Sequence, residues 1–88
     1  MRKRVNFKGN VQGVGFRFTA VMISRRYNVT GYVKNMYDGS VELVTEGEEK
    51  EIEEFLNEIK ERMGMNICSA SEQEEPDQGE FRRFNVSY

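Results

Sequence analysis

The chain has no histidine, one cysteine and one proline, and nowhere a long apolar run. Without histidine, the base that most often activates a hydroxyl or a water is missing, and every dyad or triad built on imidazole is excluded. Cys68, alone, can form no intramolecular disulfide, no cysteine-based zinc site and no CxxC redox pair. Its place in a predicted strand, far along the chain from any marked loop, predicts a buried and inert thiol. The compartment that fits this cysteine usage is the cytoplasm. The basic start Met1-Arg2-Lys3-Arg4 lacks the apolar run of a signal peptide; Val5 and Phe7 follow at strand alternation, and the basic residues read as a strand's exposed face. Ser24, Ser40 and Ser69 stand in no recognisable nucleophile elbow. The triplets Asn28-Val29-Thr30 and Asn85-Val86-Ser87 match a glycosylation acceptor but have no secretory context.

The 88 residues are 38% hydrophobic and 32% charged, with a net charge of −2. That composition suits one domain, residues 1–88, with a single core of about two packed layers, and points away from disorder, membranes and nucleic acid. Residues Lys3 to Asn10 alternate as a strand with one buried face, and a glycine-punctuated turn from Gly9 to Gly15 leads into a helix from Phe16 to Tyr27. Gly31 to Met36 and Ser40 to Glu46 are strand-like, joined at Asp38-Gly39, a pair suited to a two-residue hairpin turn. From Glu48 to Met63, Ile52, Phe55, Leu56, Ile59 and Met63 form one helical stripe, with acids in the first turn and Gly64 as the stop. A strand near Ile67 to Glu75, a turn with Pro76 and Gly79, and a closing strand with Phe84, Val86 and Tyr88 complete the chain. The order β-α-β-β-α-β, with one extra strand, matches the ferredoxin-like plan, its helices covering one face of the sheet.

Chemistry concentrates in two places. In Gly9-Asn10-Val11-Gln12-Gly13-Val14-Gly15-Phe16-Arg17, three glycines between a strand and a helix let the backbone curl with its N–H groups inward, a nest for an anion. The following helix N-terminus adds unpaired N–H groups, and Arg17 can add a bidentate guanidinium. The same glycines also suit a tight strand-to-helix connection with Arg17 solvated. The pattern is neither a P-loop nor a dinucleotide fingerprint, because Phe18 stands at the third glycine's place and no lysine follows. Asn35 lies in a strand run, where asparagine is depleted. It fits either a strand end bonded to nearby backbone or a carboxamide that holds a water beside the first loop.

At these residues the chain resembles the acylphosphatase family. The likeness is carried by Val11-Gln12-Gly13-Val14-Gly15-Phe16-Arg17, then Gly31-Tyr32-Val33-Lys34-Asn35 and Asp38-Gly39-Ser40-Val41-Glu42, with Gly79-Glu80-Phe81 near the C-terminus. The resemblance implies a ferredoxin-like α/β (α+β) sandwich with a four- or five-stranded antiparallel sheet. It implies hydrolysis of the carboxyl-phosphate bond of acyl phosphates to carboxylate and orthophosphate, without cofactor, metal or covalent intermediate. Gln12, Gly13, Val14, Gly15, Phe16 and Arg17 would hold the phosphate, with Arg17 and Asn35 catalytic and Asn35 orienting the water. A bound phosphoryl oxygen could then take the water's proton, which accords with the missing histidine. The chain departs from the family at Asn10, often basic, at Tyr32, often tryptophan, and at Met36, often threonine; reduced efficiency is the expected consequence.

The expected partners are a small acyl phosphate and inorganic phosphate, with no nucleic acid and no membrane, and the expected state is a monomer. No residue outside the loop singles out an acyl group. An RNA-recognition module shares the element order and could use Phe7, Tyr32 and Tyr37, but its sequence signature is missing and the charge is negative. Acylphosphatase-like domains also stand at the head of larger maturation proteins; a chain ending at Tyr88 points to the stand-alone form.

Overall fold

A computed structural model describes all 88 residues. Five strands and two helices follow in the order β1 (Arg2–Gly9), α1 (Phe16–Ser24), β2 (Val29–Asn35), β3 (Val41–Gly47), α2 (Glu49–Met63), β4 (Ile67–Glu75) and β5 (Phe84–Ser87), with a short 3-10 turn at Gly64–Asn66. The strands form one sheet in the order β4-β1-β3-β2-β5. Alternation does the sorting. Val5, Phe7, Val33, Val41 and Leu43 point to one face and meet Phe16, Ala20 and Ile23 of α1 and Ile52, Phe55, Leu56 and Ile59 of α2 in one buried cluster. Phe55 stands edge-on to Phe84, with ring centroids 5.1 Å apart, which ties α2 to the last strand. No helix is long and apolar enough to cross a membrane.

The elements fall where the residue patterns put them, with differences at the connections. The first helix closes at Ser24, not Tyr27, because Arg25, Arg26 and Tyr27 donate to residues three back and the coil tightens. Gly64 follows the second helix with φ of −55°, so the stop is a 3-10 turn, not a left-handed cap. The hairpin is not a two-residue turn. Met36 N–H donates to Ser40 O at 2.8 Å and Gly39 N–H to Met36 O at 3.1 Å, leaving a three-residue loop whose last member, Gly39, has φ of +91°. Asp38 Oδ1 accepts from Ser40 N–H at 2.9 Å and from Ser40 Oγ–H at 2.6 Å, which closes the loop from within.

The sheet is mixed, where a wholly antiparallel one was expected: β5 runs parallel to β2. The cause lies in the connection from Glu75 to Phe84. It leaves β4 at one edge, crosses β1, β3 and β2, and starts β5 at the end where β2 also starts, Gly31 lying opposite Phe84. Four strand spacings make about 19 Å, and eight extended residues span about 26 Å, so the crossing is within reach.

This strap covers the face turned away from the helices, and it overturns the expectation that the basic start is exposed. Arg2 is 4% exposed. Its guanidinium donates to Glu46 at 2.9 Å, Glu80 at 2.8 Å and Glu75 at 3.1 Å and lies over the Phe81 ring. Glu46 in turn accepts from the N–H groups of Gln78 and Gly79 at 3.0 and 3.1 Å. Cys68 is the second correction: it is exposed, not buried. The register of β4 on β1 shifts between Lys8 and Gly9, which leaves Cys68 as the extra residue of a bulge, turned outward.

Candidate active site

Val11 anchors the loop between β1 and α1, its side chain 1% exposed in the core cluster. Gly13 and Gly15 follow with φ of +77° and +78°, a conformation that costs any residue with a Cβ about 1–2 kcal/mol. These two reversals turn the chain directly into α1, whose first intrahelical bond is Thr19 N–H to Gly15 O at 2.9 Å. From Val11 to Phe18 no backbone N–H donates to another protein group. The start of α1 has no side-chain cap and no acidic residue in its first turn. An open row of donors therefore coincides with the positive end of a helix dipole, the arrangement that favours an anion.

Gln12 fixes this loop to its neighbour. Its side-chain Nε2 donates to Met36 O and to Ser40 O, both at 2.8 Å, bridging the two ends of the β2–β3 hairpin. Asn6 Nδ2 donates to Ser40 Oγ at 3.1 Å and adds a second tie to the same hairpin. The tethers hold the loop beside the last residue of β2, Asn35.

Gly13, Gly15, Phe16, Arg17 and Asn35 line one cavity of about 450 Å³. Arg17 makes no ion pair; its guanidinium carbon lies 5.4 Å from the centre of the Tyr88 ring. Asn35 Oδ1 is the one buried side-chain polar atom without a hydrogen-bond partner. Such an orphan acceptor costs about 1–3 kcal/mol and calls for a ligand or a water to donate to it. The side chains of Gln12 and Val14 do not line this cavity: Gln12 is turned to the hairpin and Val14 outward.

The cavity also gathers residues that the sequence did not assign to a site: Phe18, Val21 and Met22 from α1, Arg25 just after it, and Asn85, Val86 and Tyr88 from the final segment. The spacing of Phe18 and Met22, one helical turn apart, was a signal available in the sequence. The contribution of Tyr88 was not, because it depends on β5 lying beside β2. The lining residues include two arginines and no Asp, Glu, His or Cys, so the pocket is electropositive in a chain of net charge −2 and offers no typical metal-ligand set. The aromatic platform an RNA-binding sheet needs does not form, since Phe7 is fully buried under the helices and Tyr32 packs on Phe81 while donating to Glu42.

Comparison with known proteins is in keeping with this geometry. The family model described as acylphosphatase matches residues 3–86. An acylphosphatase from Lactobacillus gasseri is 42% identical over 89 residues, covering 91% of this chain and 90% of that protein. The crystal structure of acylphosphatase from Bacillus subtilis superposes with a TM-score of 0.88 at 30% identity, over 99% of this chain and 98% of that one. A full-length HypF in phosphate- and nucleotide-bound form matches with a TM-score of 0.88 at 35% identity, over 99% of this chain but 12% of that one. With the family model spanning residues 3–86 and the two acylphosphatases matched over nine-tenths or more of both chains, the chain belongs to the acylphosphatase family, a family of hydrolases.

Proposed function

We propose that this chain hydrolyses the carboxyl-phosphate bond of small acyl phosphates, giving a carboxylate and orthophosphate, in the cavity between the Gly9–Arg17 loop and Asn35. The observation that carries the proposal is Asn35, a residue that lines the same cavity as Arg17 and the loop glycines and whose Oδ1 is buried with no donor.

The loop N–H groups and the guanidinium of Arg17 neutralise the phosphoryl oxygens, on which charge is spread as the bond to the acyl oxygen loosens. Asn35 Oδ1 can only accept, so a water bonded to it points a hydrogen at the carboxamide and keeps a lone pair free for phosphorus. The water oxygen forms a new bond to phosphorus as the bond from phosphorus to the acyl oxygen breaks. The electron pair of that bond leaves with the carboxylate, and the water's proton passes to a phosphoryl oxygen. A carboxylate is a good leaving group, so no enzyme acid is required, and positioning supplies most of the rate enhancement. Neither a phosphoenzyme nor a metal enters this scheme, which accords with the missing histidine and with a lining devoid of carboxylates.

The proposal extends to the setting: one domain over residues 1–88, monomeric and cytoplasmic, with phosphate compounds as its only partners. The edge strand β4 carries the exposed Glu74, a charge that discourages strand-to-strand pairing between copies. Incubating the protein with benzoyl phosphate in excess EDTA, and following the loss of ultraviolet absorbance, tests the activity. Turnover to benzoate and orthophosphate is expected, with no protein-bound label after acid quench of a phosphorus-labelled substrate. An inert protein, or a trapped phosphoenzyme, would contradict the scheme.

A further inference from the structure

Most of the cavity is not needed for phosphate. Its volume of about 450 Å³ falls in the range of pockets that hold whole small molecules, about 300–1,000 Å³. Phe18, Val21 and Met22 of α1 and Val86 and Tyr88 of the final segment supply the apolar part of its lining, beside Arg25 and Asn85. Phe18 is 70% exposed, Met22 44% and Tyr88 93%. The large hydrophobic side chains left in solvent are Val14, Phe18, Met22, Tyr37, Met65 and Tyr88, so three of these six meet in one pocket. Single exposed apolar residues need no explanation, but a cluster of them beside a polar site marks a binding surface. Phe18 and Met22, four residues apart, share one face of α1, and Tyr88 reaches the phosphate end through its ring against Arg17.

Resting on the hydrolysis proposed above, we infer that this apolar lining is the subsite for the acyl group and selects acyl phosphates with an aromatic or bulky aliphatic acyl body over acetyl or carbamoyl phosphate. An acyl phosphate is a dianionic head on an organic tail, and the cavity lining offers both chemistries: Arg17 and the loop glycines for the head, and Phe18 and Met22, with the Tyr88 ring beside Arg17, for the tail. Phe18 and Met22 are the residues that set specificity. Neither touches the reacting atoms in the scheme above, and both lie on the outer face of α1, so replacing them leaves the core intact.

The test separates binding from turnover by using two stable probes, phenylphosphonate and methylphosphonate, whose affinities are measured by titration calorimetry on the wild type and on Phe18→Ser, Met22→Ser and the double variant. The wild type is expected to bind the phenyl compound about tenfold more tightly, and the double variant to reduce that ratio to about twofold. The ratio of kcat/KM for benzoyl phosphate to that for acetyl phosphate should fall in the variants by a similar factor. Equal affinity of the wild type for the two phosphonates, or an unchanged ratio in the double variant, would overturn the subsite. Failure of the wild type to hydrolyse either acyl phosphate would instead refute the enzymatic scheme, an outcome the calorimetry distinguishes.

Discussion

Asn35 and Arg17 reach the site by different logic. Arg17 stands in the first turn of α1, where the helix dipole and the loop N–H groups already attract an anion; its guanidinium strengthens a field that the backbone creates. Asn35 ends a strand, its carboxamide oxygen buried and without a donor. Both stood out in the sequence, the arginine by its place after a glycine-rich loop and the asparagine by its rarity within strands, but the patterns alone fitted a tight connection and a strand end equally well, and the roles came from the family resemblance. The apolar part of the cavity showed in the sequence only as the one-turn spacing of Phe18 and Met22, because their exposure is a property of the packed molecule. The loop glycines make a sharper prediction. A Cβ at Gly15 would meet nothing within 4 Å, yet its φ of +78° lies in the left-handed region. Gly15→Ala should therefore fold, with stability lowered by about 1–2 kcal/mol in urea titration, while phosphate inhibits it far more weakly because the N–H groups turn away. Wild-type phosphate inhibition in that variant would refute the nest.

Among the elements, the connection between β4 and β5 carries more than its irregular sequence suggests. Pro76 and Gly79 announced a turn, but the ion pairs that pin it come from residues far apart in the chain, and no local pattern reveals that Arg2 meets Glu46, Glu75 and Glu80. For the same reason the parallel pairing of β5 escaped the sequence: the family plan describes the strands, whereas the edge chosen depends on a strap crossing the whole sheet. The strap places β5, and with it Val86 and Tyr88, at the cavity. Burial alone would push the Glu46 carboxyl up, but bonds from Gln78 N–H, the Arg2 guanidinium and Gly79 N–H outweigh it and hold the group below its ordinary value. Glu75, bonded by Arg4 and Arg2, is lowered too. A depressed carboxyl contributes stability that is complete above the free glutamate value, about 4.3, and is lost as the pH falls through the folded-state value. Glu46→Ala leaves Arg2 buried with weaker compensation and should cost about 2 kcal/mol at neutral pH, shown by a lower urea midpoint. The gap between wild type and variant should shrink below pH 4; a gap independent of pH would refute the role of the charge.

At the scale of the whole molecule, the fold solves two problems on opposite faces of one sheet. The helix side packs the apolar residues that alternate along β1, β2 and β3, and the other side is closed by the strap over Arg2. Element order and core were readable because alternation and helical spacing are local, and they agree with the family plan over the full length. The site lies where β1 hands the chain to α1 and β2 ends beside it. Two segments remote in sequence thus bring loop glycines with unpaired N–H groups, a cation and an asparagine with an orphan acceptor to the lining of one cavity. Kinetics of benzoyl phosphate hydrolysis, with inhibition by orthophosphate read in parallel, test this arrangement most directly in Arg17→Ala and Asn35→Ala. Arg17→Ala should lower kcat/KM by about 10²–10³-fold and weaken phosphate inhibition with it, the loss expected for one transition-state charge contact. Asn35→Ala should lose a similar factor in kcat while phosphate inhibition stays within about twofold of wild type. Full activity in Asn35→Ala, or unweakened phosphate inhibition in Arg17→Ala, would contradict the assignment of water to one side of the cavity and phosphate to the other.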